Sequence, residues 1–190
     1  YDTNGQVAFA SYPSATSAPT TGVWSEYDAL GRKTSTTQDS EQSGLVTRIE
    51  YLDQFQTRVT NPRGFATTTS YSAYGQPDTG QPWRIVGPNR NTTAISRNAF
   101  GQTLQISRHG PFGKNNTLSA TRSYTYDQHQ RLCRSTEPES GVTVYAHDAS
   151  GNVAWTAAGL GFDTPGDLQC EADRAAAVAS GRRVERTYDL

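Results

Sequence analysis

The sequence predicts an all-β fold: tandem β-hairpins in one continuous, twisted and curved sheet with solenoid-like local contacts and one short helical insertion. Three observations predict it. A six-residue frame, Tyr-Asp-x-x-Gly-polar, starts near residues 1, 27, 51, 71, 97, 126, 147 and 188 of the 190-residue chain, at spacings of 26, 24, 20, 26, 29, 21 and 41. The copies from 51 to 147 are degenerate, with Leu52, Ser72, Arg97-Asn98 and His147 departing from Tyr-Asp, and the last is cut short at Tyr188-Asp189-Leu190. The stretches between these starts alternate apolar and polar residues, the pattern of half-buried strands. The composition carries 25 Thr and 10 Tyr against 18% charged and 34% hydrophobic residues, a balance that favours strands over disorder.

The frame has a mechanical meaning. In Tyr1-Asp2-Thr3-Asn4-Gly5-Gln6 and Tyr27-Asp28-Ala29-Leu30-Gly31-Arg32, the Asp side chain accepts a hydrogen bond from the backbone two residues on, and the Gly tolerates positive φ. Asp-x-x-Gly is thus a hairpin turn with a bulge. Gly stands at Gly5, Gly31, Gly75, Gly101 and Gly151, whereas Phe55 and Gln130 replace it, so those two turns must strain or change type. The residue after the turn is polar in every complete copy: Gln6, Arg32, Gln56, Gln76, Gln102, Arg131 and Asn152. A shared column implies a shared environment.

The strands follow in order. Ser43-Gly44, Asn61-Pro62-Arg63-Gly64, Gly87-Pro88 and Glu137 to Gly141 each open an extended stretch that ends at the next frame. In the stretch ending at Tyr51, Leu45, Thr47, Ile49 and Tyr51 share one face and Val46, Arg48 and Glu50 the other. After the frame at Tyr126-Asp127 come Leu132 to Gly141, and then His147-Asp148 with Val153 and Trp155 on one face. Residues 159–183 are read as an insertion that lengthens the last spacing, with a helix at about 171–180, acidic in its first turn and stopped by Gly181. Cys133 and Cys170 admit either a disulfide tying this insertion to the sheet or two unpaired structural thiols.

Charge and hydropathy exclude several functions. The formal net charge of -1 and the lack of a basic stripe speak against nucleic acid as a partner. No apolar run approaches the roughly 20 residues of a membrane span. With neither Met nor a hydrophobic leader, the chain reads as an excerpt of a longer protein.

His109, His129 and His147 stand in no metal-ligand spacing, and Gly110-Pro111-Phe112-Gly113-Lys114 lacks phosphate-loop spacing, so no metal and no cofactor is expected. Glu137, Glu139 and Asp148 could serve as paired acids for glycoside hydrolysis, yet they sit in turn chemistry. Asp2, Asp28, Asp127, Asp148 and Asp189 recur with the repeat, which marks them as architectural. Tyr27, Tyr51, Tyr71, Tyr126 and Tyr188 read as packing residues, with sugar stacking as the other option. The chain is therefore not expected to be an enzyme.

At these residues the sequence resembles the Rhs/YD-repeat family: Tyr27 to Arg32 matches Tyr-Asp-x-x-Gly-Arg in full, and Asn61-Pro62-Arg63-Gly64 with Thr67 and Tyr71 matches the second half of the family's repeat. The resemblance covers essentially the whole chain. It implies hairpin arrays wound into a hollow shell, as in bacterial Rhs polymorphic toxins, the C component of insecticidal toxin complexes and teneurins. In bacterial members the shell encloses a toxic C-terminal domain, so the implied partners are adjoining repeats and a C-terminal cargo, in a secreted or cell-surface protein. No segment matches the autoproteolytic core-associated motif of those arrays, and self-cleavage is not carried over. The other reading is an adhesion module that binds surface glycans, and cut sheet edges imply self-association.

Overall fold

Chain reversal at the described frames sets the strand pattern. The computed structural model describes residues 1–15, 18–41, 43–73, 77–112, 116–161, 170–179, 181 and 183–186. It is all-β apart from one helix, and the strand order of its fourteen-stranded sheet is the chain order. Every pairing with a described register is antiparallel. The chain divides into two compact units, residues 1–92 and 93–190.

The first unit contains β1 (Phe9–Ser11), β2 (Gly22–Tyr27), β3 (Lys33–Gln38), β4 (Leu45–Leu52), β5 (Gln56–Thr60), β6 (Ala66–Ala73) and β7 (Pro77–Val86). Its registers place Trp24, Thr37 and Val46 in one cross-strand row, and Ile49 and Val59 opposite each other on the other face. Rows rich in Thr, Ser, Arg and Glu bury little on either face. Among the described residues, this unit has no buried apolar side chain; Ser35 and Ser70 are its buried side chains. It is a single-layer sheet, held by backbone ladders and cross-strand pairs rather than by a second layer.

The second unit contains β8, which starts at the boundary (Thr92–Arg97), β9 (Thr103–Phe112), β10 (Asn116–Tyr126), β11 (Leu132–Glu137), β12 (Gly141–His147), β13 (Val153–Leu160), helix α1 (Cys170–Ala179) and β14 (Val184–Glu185). Here a core exists. Val142, Val144, Ala157 and Leu160 cluster with Ala177 of α1, and Trp155 packs against them. The helix begins one residue earlier than its composition indicates, at Cys170, and Gly181 closes it with φ 69° and an N–H donated to the Val178 carbonyl at 3.2 Å.

The insertion starts later than its expected bound at Gly159, because β13 runs on to Leu160, which pairs with Val142. The chain then returns to the sheet before Arg186, where Val184 and Glu185 pair with Thr156 and Trp155. The expected positions Gly75, Gln76, Lys114, Tyr188 and Asp189 lie outside the described residues. Among the described residues, no helix is long and apolar enough to cross a membrane.

Candidate functional site

The turn residues are one construction repeated. The Asp2 N–H donates to the Gln6 carbonyl at 2.8 Å and the Gly5 N–H to the Asp2 carbonyl at 3.1 Å, while Asp2 Oδ1 accepts from the Asn4 and Gln6 N–H groups at 2.9 and 2.8 Å. The Asp28 turn copies this with 2.9 Å bonds to Leu30 and Arg32, and the Asp127 turn with 2.9 Å bonds to His129 and Arg131. Asp148 accepts from the Asn152 N–H at 2.8 Å. Asn98, which departs from the frame in sequence, makes the same pair of bonds at 3.0 Å, as does Asn61 at the opposite kind of turn. An amide oxygen serves as well as a carboxylate oxygen for this purpose.

Gly5, Gly31, Gly101 and Gly151 adopt φ of 77°, 77°, 79° and 88°. Gln130 takes the same turn at φ 63°, a conformation that costs a residue with a Cβ. The Tyr51 copy changes type: Gln54 and Phe55 both have positive φ, at 60° and 55°, and Leu52 pairs directly with Gln56. After the turn, the register skips Thr34, Cys133 and Ala154, a bulge at the equivalent place in three hairpins.

Within each unit, two columns of side chains tie several repeats to their neighbours. The tyrosines reach back: Tyr27 donates to the Val7 carbonyl at 3.0 Å, Tyr51 to the Lys33 carbonyl at 3.1 Å and Tyr126 to the Thr103 carbonyl at 2.9 Å, each acceptor lying just past the preceding turn's polar residue. The polar residues reach forward. Gln6 Nε2 donates to the Gly31 carbonyl at 2.8 Å, Gln102 Nε2 to the Gln130 carbonyl at 2.6 Å, and Arg131 Nη1 to the Asp148 carbonyl at 3.3 Å. Arg32 pairs with Asp28 at 2.7 Å and lies 4.2 Å from the centroid of the Tyr51 ring. Tyr1, at 87% exposure, is the outlier of the tyrosine column.

The densest polar group surrounds Asp127, whose side chain is 4% exposed. Its Oδ1 holds the turn; its Oδ2 meets Arg131 at 2.9 Å and Arg174 of α1 at 3.5 Å, and Arg174 Nε donates to the Tyr145 carbonyl at 3.2 Å. Burial pushes the Asp127 carboxyl up, but the Arg131 backbone and side chain and the His129 backbone outweigh it and hold the group at about 2. Hydrogen bonding from Arg32 likewise lowers Asp28, and the Asn152 backbone lowers Asp148. His147 occupies the tyrosine position of its repeat; burial and the Arg131 charge lower its pKa, and its buried Nδ1 has no hydrogen-bond partner among the described residues.

Cys133 and Cys170 form a disulfide with Cα atoms 5.7 Å apart, so the pairing is the bonded one of the two the sequence admits. The candidate acids do not converge. Glu137 and Glu139 pair with Arg122 at 3.9 and 3.7 Å at one end of β12, and Asp148 follows its other end. Among the described residues, no group of three or more His, Cys, Asp or Glu side chains is placed to hold a metal. Sequence reasoning missed Arg174, whose only signal is its position four residues after Cys170 on the same helix face. No protein-family model matches this chain, and no curated protein matches it.

Proposed function

We propose that this chain is a non-catalytic segment of a Rhs/YD-repeat shell wall that encloses and helps deliver a C-terminal toxin or effector domain of the same longer protein. One observation carries the reading: residues 1–92 make seven strands of a single-layer sheet with no buried apolar side chain among the described residues. A globular domain needs a second layer to bury its apolar face, whereas a wall needs strands that hold one another edge to edge. The tyrosine and glutamine–arginine columns supply that lateral hold, repeat to repeat. The resemblance of Tyr27 to Arg32 to the family's repeat motif supports the same reading.

A second reading, an adhesion module for surface carbohydrate, is favoured by one contact. The rings of Phe9 and Trp24 lie 4.4 Å apart, with Trp24 49% exposed, a platform of the kind that stacks on sugar rings.

Sequencing the coding region on both sides of Tyr1 and Leu190 tests the choice. The shell reading expects the array to continue and to end in a core-associated motif followed by a compositionally distinct domain. A membrane anchor or further adhesion modules without such a cargo would overturn it in favour of the second reading.

A further inference from the structure

We infer that the outer edge of β10 at residues 117–121 is a self-pairing surface, along which two copies of this chain join antiparallel with Ser119 on the two-fold axis. This edge lies inside the strand order rather than at its ends, so the inference needs nothing from the shell reading.

β10 outruns its neighbour. Its residues 116–123 pair with β9, whereas β11 pairs only with residues 123–126, because the chain turns back where Glu137 pairs with Gly141. Residues 116–122 therefore have β9 on one side and, among the described residues, no strand on the other. An antiparallel strand directs alternate N–H and C=O groups to each side, so this stretch presents a row of ladder groups open to pairing.

The usual protection of an edge is missing. Thr117-Leu118-Ser119-Ala120-Thr121 holds no charge and no Pro, and its register with β9 runs without a bulge. Thr117, Leu118, Ser119 and Thr121 are exposed, Leu118 at 65%. The terminal strands β1 and β14 have only 3 and 2 residues.

The stretch is also complementary to itself. Turned about Ser119, it sets Leu118 beside Ala120 of the second copy, and Thr117 beside Thr121 of the second copy. Alternation puts Leu118 and Ala120 on one face of β10 and Thr117, Ser119 and Thr121 on the other, so like meets like on both faces. The Thr pairs extend a hydroxyl row that already joins Ser107 to Thr121 at 3.1 Å.

Charge selects a second copy over an acidic strand. The nearest charge on the strand, Arg122, comes to lie about 20 Å from its copy along the strand direction, beyond the ~8 Å Debye length at physiological salt. Arg122 is also engaged by Glu137 and Glu139 at 3.9 and 3.7 Å. An acidic strand thus finds no charge on this edge to select it, whereas a second copy matches it residue for residue. A contact of this length falls in the small, transient class of interfaces, below roughly 1,200 Å², so the dimer is weak and reversible.

The test is sedimentation equilibrium of the full 190-residue chain across a concentration series, with substitutions on the axis. Position 119 opposes itself, so Ser119→Lys sets two like charges directly opposite and should raise the dimer dissociation constant about fivefold. Ser119→Glu should do the same alone, and an equal mixture of the two variants should associate more tightly than either. Ser119→Cys should form an intermolecular disulfide in air, where Thr117→Cys, about 13 Å from its copy, should not. Cys133 and Cys170 are bonded to each other and offer no competing thiol. Since Ser119 is exposed, both charge variants should keep the parent's thermal midpoint. Three results would overturn the inference. They are a chain that stays monomeric at every concentration, a dimer indifferent to both charge variants, which would place the contact on other edges, and association tightened by Ser119→Lys, which would assign this edge to an acidic partner.

Discussion

The Gln102 side chain donates a 2.6 Å hydrogen bond to the backbone carbonyl of Gln130, 28 residues later and one repeat away. Tyr126, from that later repeat, returns the connection by donating to Thr103, the residue after Gln102. These two repeats are thus cross-bonded in both directions at the turn end of their strands, and the same exchange joins Gln6 to Gly31 and Tyr27 to Val7 in the first unit. In the first unit, which buries no apolar side chain among its described residues, these bonds define which turn sits beside which.

Removing a rung should weaken the unit that holds it. Tyr126→Phe leaves the Thr103 carbonyl without its donor and should cost about 1 kcal/mol, read as a shift in the chemical-denaturation midpoint with unchanged slope. No shift would show that the tyrosine hydroxyls contribute nothing to repeat order.

The turn positions should respond in opposite directions. Gln130→Gly relieves a positive φ while keeping the carbonyl that Gln102 uses, and should stabilise by up to about 1 kcal/mol. Gly101→Ala forces a Cβ into the same conformation and should destabilise by about 1–2 kcal/mol. Paired thermal-denaturation measurements of the two variants check the sign.

Acid should act through Asp127. Its folded-state pKa of about 2 lies below the ordinary 3.8, so its contribution is fully present above 3.8 and is lost as pH falls through 2. The shift corresponds to about 2 kcal/mol. Asp127→Asn should keep the turn, as Asn98 and Asn61 keep theirs, while flattening the stability profile across that window. An unaltered acid limb in the variant would contradict the assignment.

His147 should steepen the profile at milder pH. Its pKa is lowered from 6.5, so the unfolded chain takes up the proton first and stability is lost as pH falls from 6.5 through the depressed folded value. The groups facing it are Arg131, Asp127, Arg174 and Asp148. His147→Gln should reduce the slope of denaturation midpoint against pH below 6.5; an unchanged slope would place the titration elsewhere.

Much of this construction is legible in the sequence because it is local. A turn written as Asp-x-x-Gly specifies its own hydrogen bonds, and alternation specifies faces, so Tyr27 to Arg32 and Leu45 to Tyr51 are placed by short-range rules alone. Asn98 reads as a departure only while the rule is written in residue names; the rule is an acceptor oxygen at that position, which Asn supplies. Arg90 hides for the converse reason: Gly87-Pro88 announces the turn, yet the positive φ of 60° falls on Arg90, through a hydrogen bond from its N–H to the Gly87 carbonyl. Long-range facts are not written locally. That Arg174 meets Asp127 depends on where the helix lands after the insertion, and the Cys133–Cys170 bond fixes that landing. The forward reach of Gln6 and Gln102 is visible only as a column of polar residues, whose partners are backbone groups one repeat away.

Electron cryo-microscopy of the complete gene product decides whether these strands are the proposed wall around a cargo. If they are, further strands continue the sheet beyond β1 and β14, and one face of residues 1–92 lines a closed chamber that holds a separate domain. A protein whose sheet faces are both open to solvent, with no enclosed domain, would contradict it.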